Sequence, residues 1–340
     1  MKRRLTLLAL TITMLAVVLG AQAAEIGHFN GGLLNIRDYF VPEPGLYGGL
    51  YNYFYHTGRL NDRHGDEVNT VTINPRGGPG VTLGVDVNVD LYALAPVFIW
   101  VSDWKILGAK YGAVITLPFA NASLAATLST ATGRSGTADT ASFNVGDLFV
   151  QPLWLGWTLP HWDVAFAYGL YAPTGKYNTE TVTFPRGGSI TAEATDNIGY
   201  GFWTHQLQGA AAWYPWTHKA TAVTAALTYE IHHKKHDFDL TPGQNLTLNW
   251  GISQFLPLTK DQKLLLEVGP AGYSSWQISD DTGSDARNGD VHDEVHAVGG
   301  QLGLTYLPWQ AVLNFHAFYE FSAQDRFQGQ AYGISLVKKF

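Results

Sequence analysis

The residues best equipped for chemistry in this 340-residue chain are isolated polar groups set among apolar ones. Asp86, Asp90, Lys110, Asp147, Gln151, Gln206, Glu230, Glu267, Gln301, His316 and Glu320 each sit in a stretch where apolar and polar or small residues alternate. A period of two is the period of a β-strand, so each of these groups is expected to share a strand face with other polar or small residues. In a sheet that crosses a membrane, charges persist only where they line water or pair with one another. The set therefore predicts an inward-facing polar conduit, and its excess of carboxylates over bases would disfavour anions. The competing reading is a plugged interior in which Lys110 and His316 neutralise nearby acids, because narrow barrels are filled by their own side chains.

Three other clusters invite a chemical reading. His232, His233 and His236 in HHKKHD carry imidazoles that can bind a metal, but Lys234 and Lys235 stand between them and would repel a cation, so a solvated loop is expected. Asp280, Asp281, Asp285, Asp290 and Asp293 are concentrated in one stretch without the spacing of a calcium loop, and again a solvated loop is expected. Ser274 and His296 fall on neighbouring strands, outward and near the extracellular end, where a lipid-cleaving pair would have to work. No third residue to orient the imidazole is legible, so they are read as ordinary interface residues and no enzymatic activity is expected. No metal or cofactor is called for.

The elements that must hold these groups are strands. Charged residues make up 14% of the chain and aromatic residues 13%, with 11 Trp, 17 Tyr, 37 Gly and no Cys. So little charge is unusual for a water-exposed surface and suits strands that face lipid between aromatic belts. The absence of Cys excludes disulfides and thiolate metal sites, and a net charge of −7 gives no reason to expect nucleic acid as a partner. Lys2, Arg3 and Arg4, the apolar run Leu5 to Leu19 and the small residues at Ala21-Gln22-Ala23 read as a signal peptide over 1–23, cleaved near Ala24. No later apolar run is long enough for a transmembrane helix.

Residues 24–44 read as a periplasmic or lumenal segment that acts as a mobile constriction, followed by an antiparallel up-and-down barrel over 45–340 with about twelve strands. Val81, Leu83, Val85, Val87, Val89 and Leu91 alternate with Thr82, Gly84, Asp86, Asn88 and Asp90, which predicts valines toward lipid and carboxylates toward the lumen. Trp154 is placed outward with Leu148 and Val150. Gly58 to Pro79, Thr127 to Ala141, Lys176 to Ile198, His232 to Gly243 and Ser279 to Glu294 are read as long extracellular loops, and Ser102 to Ile106 as a tight turn. Trp100, Trp104, Trp157, Trp162, Trp216 and Trp309 cluster at strand ends as an aromatic girdle. The last strand, Gln330 to Phe340, sets Tyr332, Ile334, Leu336 and Phe340 against Ala331, Gly333 and Ser335, the form of a strand that closes and targets a barrel.

Four segments, PEPGLY at 42–47, DLFVQPLWLGW at 147–157, YGLYAPTGKY at 168–177 and GYGFWTHQLQGAAAWY at 199–214, resemble the outer-membrane family named for the meta pathway of phenol degradation, which includes sphingosine-induced outer-membrane proteins. That family is distantly similar to long-chain fatty-acid channels. The resemblance implies a Gram-negative outer-membrane channel that passes small hydrophobic or aromatic solutes without an energy source. It implies lipids and lipopolysaccharide as surroundings and the barrel-assembly machinery as a partner of the C-terminal strand. It carries no list of substrate-binding residues.

Overall fold

The computed structural model describes residues 26–73, 81–130, 135–183, 189–194, 196–286 and 288–340; the signal-peptide reading of 1–23 lies outside them. Seventeen strands appear in chain order: β1 Gly45–Thr57, β2 Thr70–Ile73, β3 Val81–Ile106, β4 Ala109–Thr116, β5 Phe119–Thr130, β6 Ser135–Val145, β7 Leu148–Thr158, β8 Trp162–Ala172, β9 Thr179–Thr183, β10 Ser189–Glu193, β11 Thr204–Trp213, β12 Thr221–His232, β13 Asn245–Pro257, β14 Leu264–Gln277, β15 Glu294–Tyr306, β16 Ala311–Gln324 and β17 Gln330–Lys339. Twelve of them, β1, β3, β4, β7, β8 and β11 to β17, form an antiparallel ring that the β1–β3 and β1–β17 pairings close. Closure leaves no unpaired edge in this ring, which a sheet in lipid requires.

The outer wall shows why this ring belongs in a bilayer. Phe98, Phe166, Leu227, Ile252, Leu302, Phe315 and Ile334 all project outward with about two fifths or more of their surface uncovered. Each would cost roughly 1.5–3 kcal/mol if left in water, so the belt is stable only against hydrocarbon. Trp100, Trp104, Trp162, Trp216 and Trp309 are exposed at the end that carries the short turns, which sets that end as periplasmic.

On one side the sheet rises far beyond the membrane. β3 runs for 26 residues where a spanning strand needs about 9–11. Its lower part pairs with β4 and its upper part with β5, β5 pairs with β6, and Gly146 N–H donates to Pro118 O where the two hairpin sections meet. The expected loop Thr127 to Ala141 is therefore largely strand in its described part, and β9 and β10 form a separate hairpin within Lys176 to Ile198. The first periplasmic turn lies at Leu107-Gly108, both at positive φ, rather than at Ser102 to Ile106, which is still strand.

Two facing assignments are corrected. Val85 and Val87 are buried and pack with Ala126, Val71 and Phe327, while Asp86 and Asp90 are exposed. Above the membrane the solvent lies outside, so the valine face turns inward as in any water-exposed sheet, and Asp90 pairs with His56 on the outer wall at 2.7 Å. Trp154 is buried and faces the lumen, because a register shift between Val150 and Leu153, at Pro152, reverses the alternation downstream.

Candidate functional site

Residues 26–44 run down the lumen with irregular backbone, from the level of Thr204 and Glu230 at the extracellular strand ends to Lys110 at the periplasmic rim, and the inward side chains of the barrel hold the segment there. His28 Nε2 meets Asp147 Oδ2 at 3.0 Å and its Nδ1 meets Thr204 Oγ1 at 2.8 Å. Phe29 N–H donates to Glu230 Oε1 at 3.0 Å, Gly32 N–H to Asn249 Oδ1 at 2.8 Å, and Ile36 N–H to Gln301 Oε1 at 2.8 Å. Asn35 donates to Ser335 Oγ and accepts from His316 Nδ1 at 3.1 Å. Buried backbone amides need partners, and a segment without regular structure can find them only on side chains. The barrel supplies those partners from strands around the whole ring.

The strongest contact is ionic. Arg37 Nε donates to Glu267 Oε1 at 2.5 Å and to Ser253 Oγ at 3.2 Å, its other nitrogens reach Lys219 O and Ala220 O, and the guanidinium lies 4.4 Å from the Phe255 ring. Gln301 donates to the other Glu267 oxygen at 3.2 Å. Tyr51 donates to Asp38, and Trp154 Nε1 to Tyr39 O at 3.2 Å. Close approach requires small residues opposite: Gly32 has φ +73, and a Cβ there would lie 2.9 Å from the Phe318 and Tyr273 rings. Gly333 leaves the room that the His316 ring occupies.

Above this plug a cavity of about 620 Å³ opens toward the outside. Its walls are Tyr53, Tyr55, Tyr200, Tyr273, Val89, Leu91 and Val295, its upper edge includes Phe238 and Phe327, and Phe29, Asn30 and Gly31 form its floor. Its charged lining is mainly acidic, with Glu193, Glu230, Asp281, Asp285, Asp293 and Glu320 beside Arg326. Glu320 accepts from Tyr55 and Tyr273 hydroxyls at 2.8 Å each and from Gly329 N–H at 2.6 Å. Nearby, Arg326 pairs with buried Asp293 at 2.7 Å.

The eleven polar residues singled out in the sequence separate into four groups. Glu230 and Glu320 border the cavity. Asp147, Glu267, Gln301 and His316 bind the plug, while Gln151 is buried and Gln206 accepts from Tyr171. Lys110 lies at the periplasmic rim, paired with Glu43 at 2.7 Å. Asp86 and Asp90 stand outside, as described. The aromatic walls were missed because no face was assigned to the first strand; the signal was Tyr51, Tyr53 and Tyr55, three rings on one strand face.

The histidine and aspartate clusters disperse. His232 is buried at the end of β12, bonded to Thr204 and Asn245, His233 meets His205 outside at 3.0 Å, and His236 is exposed. Lys235 is not solvated but buried and paired with Glu193. Asp280 pairs with His292, Asp281 accepts from Gly243 N–H, and Asp285 from Asp239 N–H. No group of three potential metal ligands occurs among the described residues. Asp239 accepts from Lys234 Nζ and from Ser284, contacts that hold its carboxyl well below the usual range in an exposed loop.

Ring closure, a lipid-facing apolar belt and a lumen filled by its own N-terminal segment define a plugged twelve-stranded outer-membrane barrel. The model of a family described as "Putative MetA-pathway of phenol degradation" matches residues 57–336, and the chain belongs to that family. Among solved structures, an outer membrane channel from Pseudomonas putida F1 is 16% identical with a TM-score of 0.66, covering 90% of this chain and 100% of that one. The monoaromatic hydrocarbon channel CymD is 11% identical with a TM-score of 0.43, over 93% and 95% of the two chains. No curated protein sequence matches the chain.

Proposed function

We propose that this protein admits small hydrophobic or aromatic compounds across the outer membrane by passive movement through its lumen. The observation that carries this reading is the aromatic cavity above the plug. Ligand sites are commonly concave and about 300–1,000 Å³ with aromatic walls, and this cavity has that size, with tyrosine and aliphatic walls beside a set of acids. The family's description points to phenol breakdown, and CymD, so far as its own description goes, carries monoaromatic hydrocarbons. In this proposal Glu230 and Glu320 border the solute path, and Asp147, Glu230, Glu267, Gln301 and His316 hold the plug in place, with Gln151 and Gln206 on the inner wall beside it. Passage then requires the plug to shift, since it occupies the lumen between the cavity and the periplasmic rim.

Outer-leaflet lipid and lipopolysaccharide would surround the belt, and β17 with terminal Phe340 would present the signal to the barrel-assembly machinery. The test is uptake by liposomes that contain the purified protein, comparing toluene and phenol with a charged sugar phosphate, each against empty liposomes. Entry of the aromatics above that into empty liposomes, with no such gain for the anion, supports the reading. Uptake equal to that of empty liposomes for every solute would overturn it in favour of a structural barrel.

A further inference from the structure

Outside the lumen, on the lipid-facing wall, three side chains form a relay that the sequence left incomplete. Ser274 on β14 and His296 on β15 are register partners, and Ser274 Oγ lies 2.8 Å from His296 Nδ1. The other ring nitrogen, Nε2, lies 2.5 Å from Glu294 Oε1, two residues earlier on the same strand face. This third residue supplies the imidazole orientation that the sequence reading lacked.

The surroundings suit a reaction on lipid. His296 is about a quarter exposed and sits between the Trp276 ring, edge-on at 5.7 Å, and the Phe321 ring, stacked at 6.1 Å. It lies near the extracellular end of β15, with Tyr306 at the periplasmic end. At about 3.4 Å per residue and a tilt near 40°, the two are separated by roughly 25 Å of height, the thickness of the apolar band. His296 is therefore level with the outer headgroup boundary, where acyl ester bonds lie and water reaches. The β15–β16 ladder shifts register beside His296 and passes over Phe321, a bulge of the kind that re-aims side chains. Ser322 becomes the register partner of His296 on its other flank, so Ser274, His296 and Ser322 form one row across three strands.

We propose that Ser274, His296 and Glu294 hydrolyse acyl esters of outer-leaflet lipids, an activity separate from solute passage through the lumen. Ser274 Oγ attacks the ester carbonyl while its proton passes to His296 Nδ1. The acyl carbon–oxygen bond breaks, and the leaving alcohol takes that proton. Water then attacks the acyl-serine, gives a proton to His296 and releases the fatty acid, and the proton returns to Ser274. Glu294 is a positioning residue that holds the ring and stabilises the imidazolium. The nitrogens are used in the opposite order to the usual serine hydrolase, which leaves the proton transfers unchanged. Ser322 supplies a hydroxyl on the flank where the carbonyl oxygen gathers charge.

The test uses full-length protein in detergent micelles with an alkyl fluorophosphonate and a fluorogenic diacyl phospholipid. Labelling of Ser274, located by mass spectrometry and abolished in Ser274→Ala, is expected, with phospholipid hydrolysis that falls at least about 10²-fold in Ser274→Ala and His296→Asn. Glu294→Gln should lose about tenfold and move the pH profile, a displacement that a purely structural residue would not cause. Aromatic uptake by Ser274→Ala should match wild type, which shows that the barrel is folded. Absence of labelling in wild type, or hydrolysis in Ser274→Ala equal to wild type, would overturn the proposal.

Discussion

The plug and the cavity above it are built on different principles. The plugged depth of the barrel is polar and full: its acids, amides and histidine satisfy the backbone and side chains of residues 26–44. The cavity is open and walled by aromatic rings beside acids, with Glu320 already occupied by two tyrosines and a backbone amide. The difference teaches that charge at the depth of the plug serves as a lock, while charges at the cavity, such as Asp293 with Arg326 and Glu320 with its tyrosines, are held by fixed partners. A polar lumen viewed from sequence alone suggests conduction of polar solutes; here the polarity is consumed internally.

The harshest way to break the contrast is to remove residues 26–44. Flux of small solutes through reconstituted protein should then rise by at least about tenfold, with selectivity for aromatics lost, because the exposed polar layer would now line an open pore. Liposome swelling rates would show it, and unchanged flux would mean that the segment does not obstruct passage. Arg37→Ala is a milder disruption. It leaves Glu267 buried without its cation, and breaking such a pair costs roughly 3–5 kcal/mol, toward the lower end here because Arg37 is partly open to water. Faster hydrogen exchange over residues 28–40, with the strands still protected, is the expected signature.

A finer comparison sets the inside of β3 against the outside. Val89→Cys should react slowly with a water-soluble thiol reagent and be protected by added toluene, whereas Asp90→Cys should react quickly and be indifferent to toluene. Equal protection at both positions would contradict the facing assigned above. The smallest effect concerns the outer loops, which carry no part of the plug. Asp239 is depressed in the folded chain, so its stabilising contacts are fully present above the ordinary value of 3.8 and weaken as pH falls below it. Hydrogen exchange around Ser284 should therefore accelerate under acid, and unchanged exchange there would contradict the assigned contacts.

Much of this architecture was legible in the sequence, and the failures have physical causes. In β8 and β11 to β17, alternation assigned most faces correctly, because those strands cross the membrane as a continuous period of two, with lipid outside. It failed at Val85 and Val87, where the same alternation continues above the membrane and the meaning of inside and outside for an apolar residue is reversed. It failed at Trp154, because one extra residue at Pro152 exchanges the faces without changing composition. The plug could be bounded but not docked: Asn35 and Arg37 bond partners hundreds of positions away, and no local period records such contacts. For Ser274 and His296 the pairing of strands was enough to bring them together, but Glu294 had been assigned to a loop and so was left out.

The seam between β1 and β17 joins Tyr47 to Lys339, almost the two ends of the described chain. Loop-closure entropy makes contacts of such separation the most demanding to nucleate, so this seam is the natural last step of assembly. Because β1 begins directly after residues 26–44, zipping the seam encloses that segment in the same event. The N-terminal segment thus lies inside the finished cylinder as a mandrel lies inside a sheet rolled shut around it.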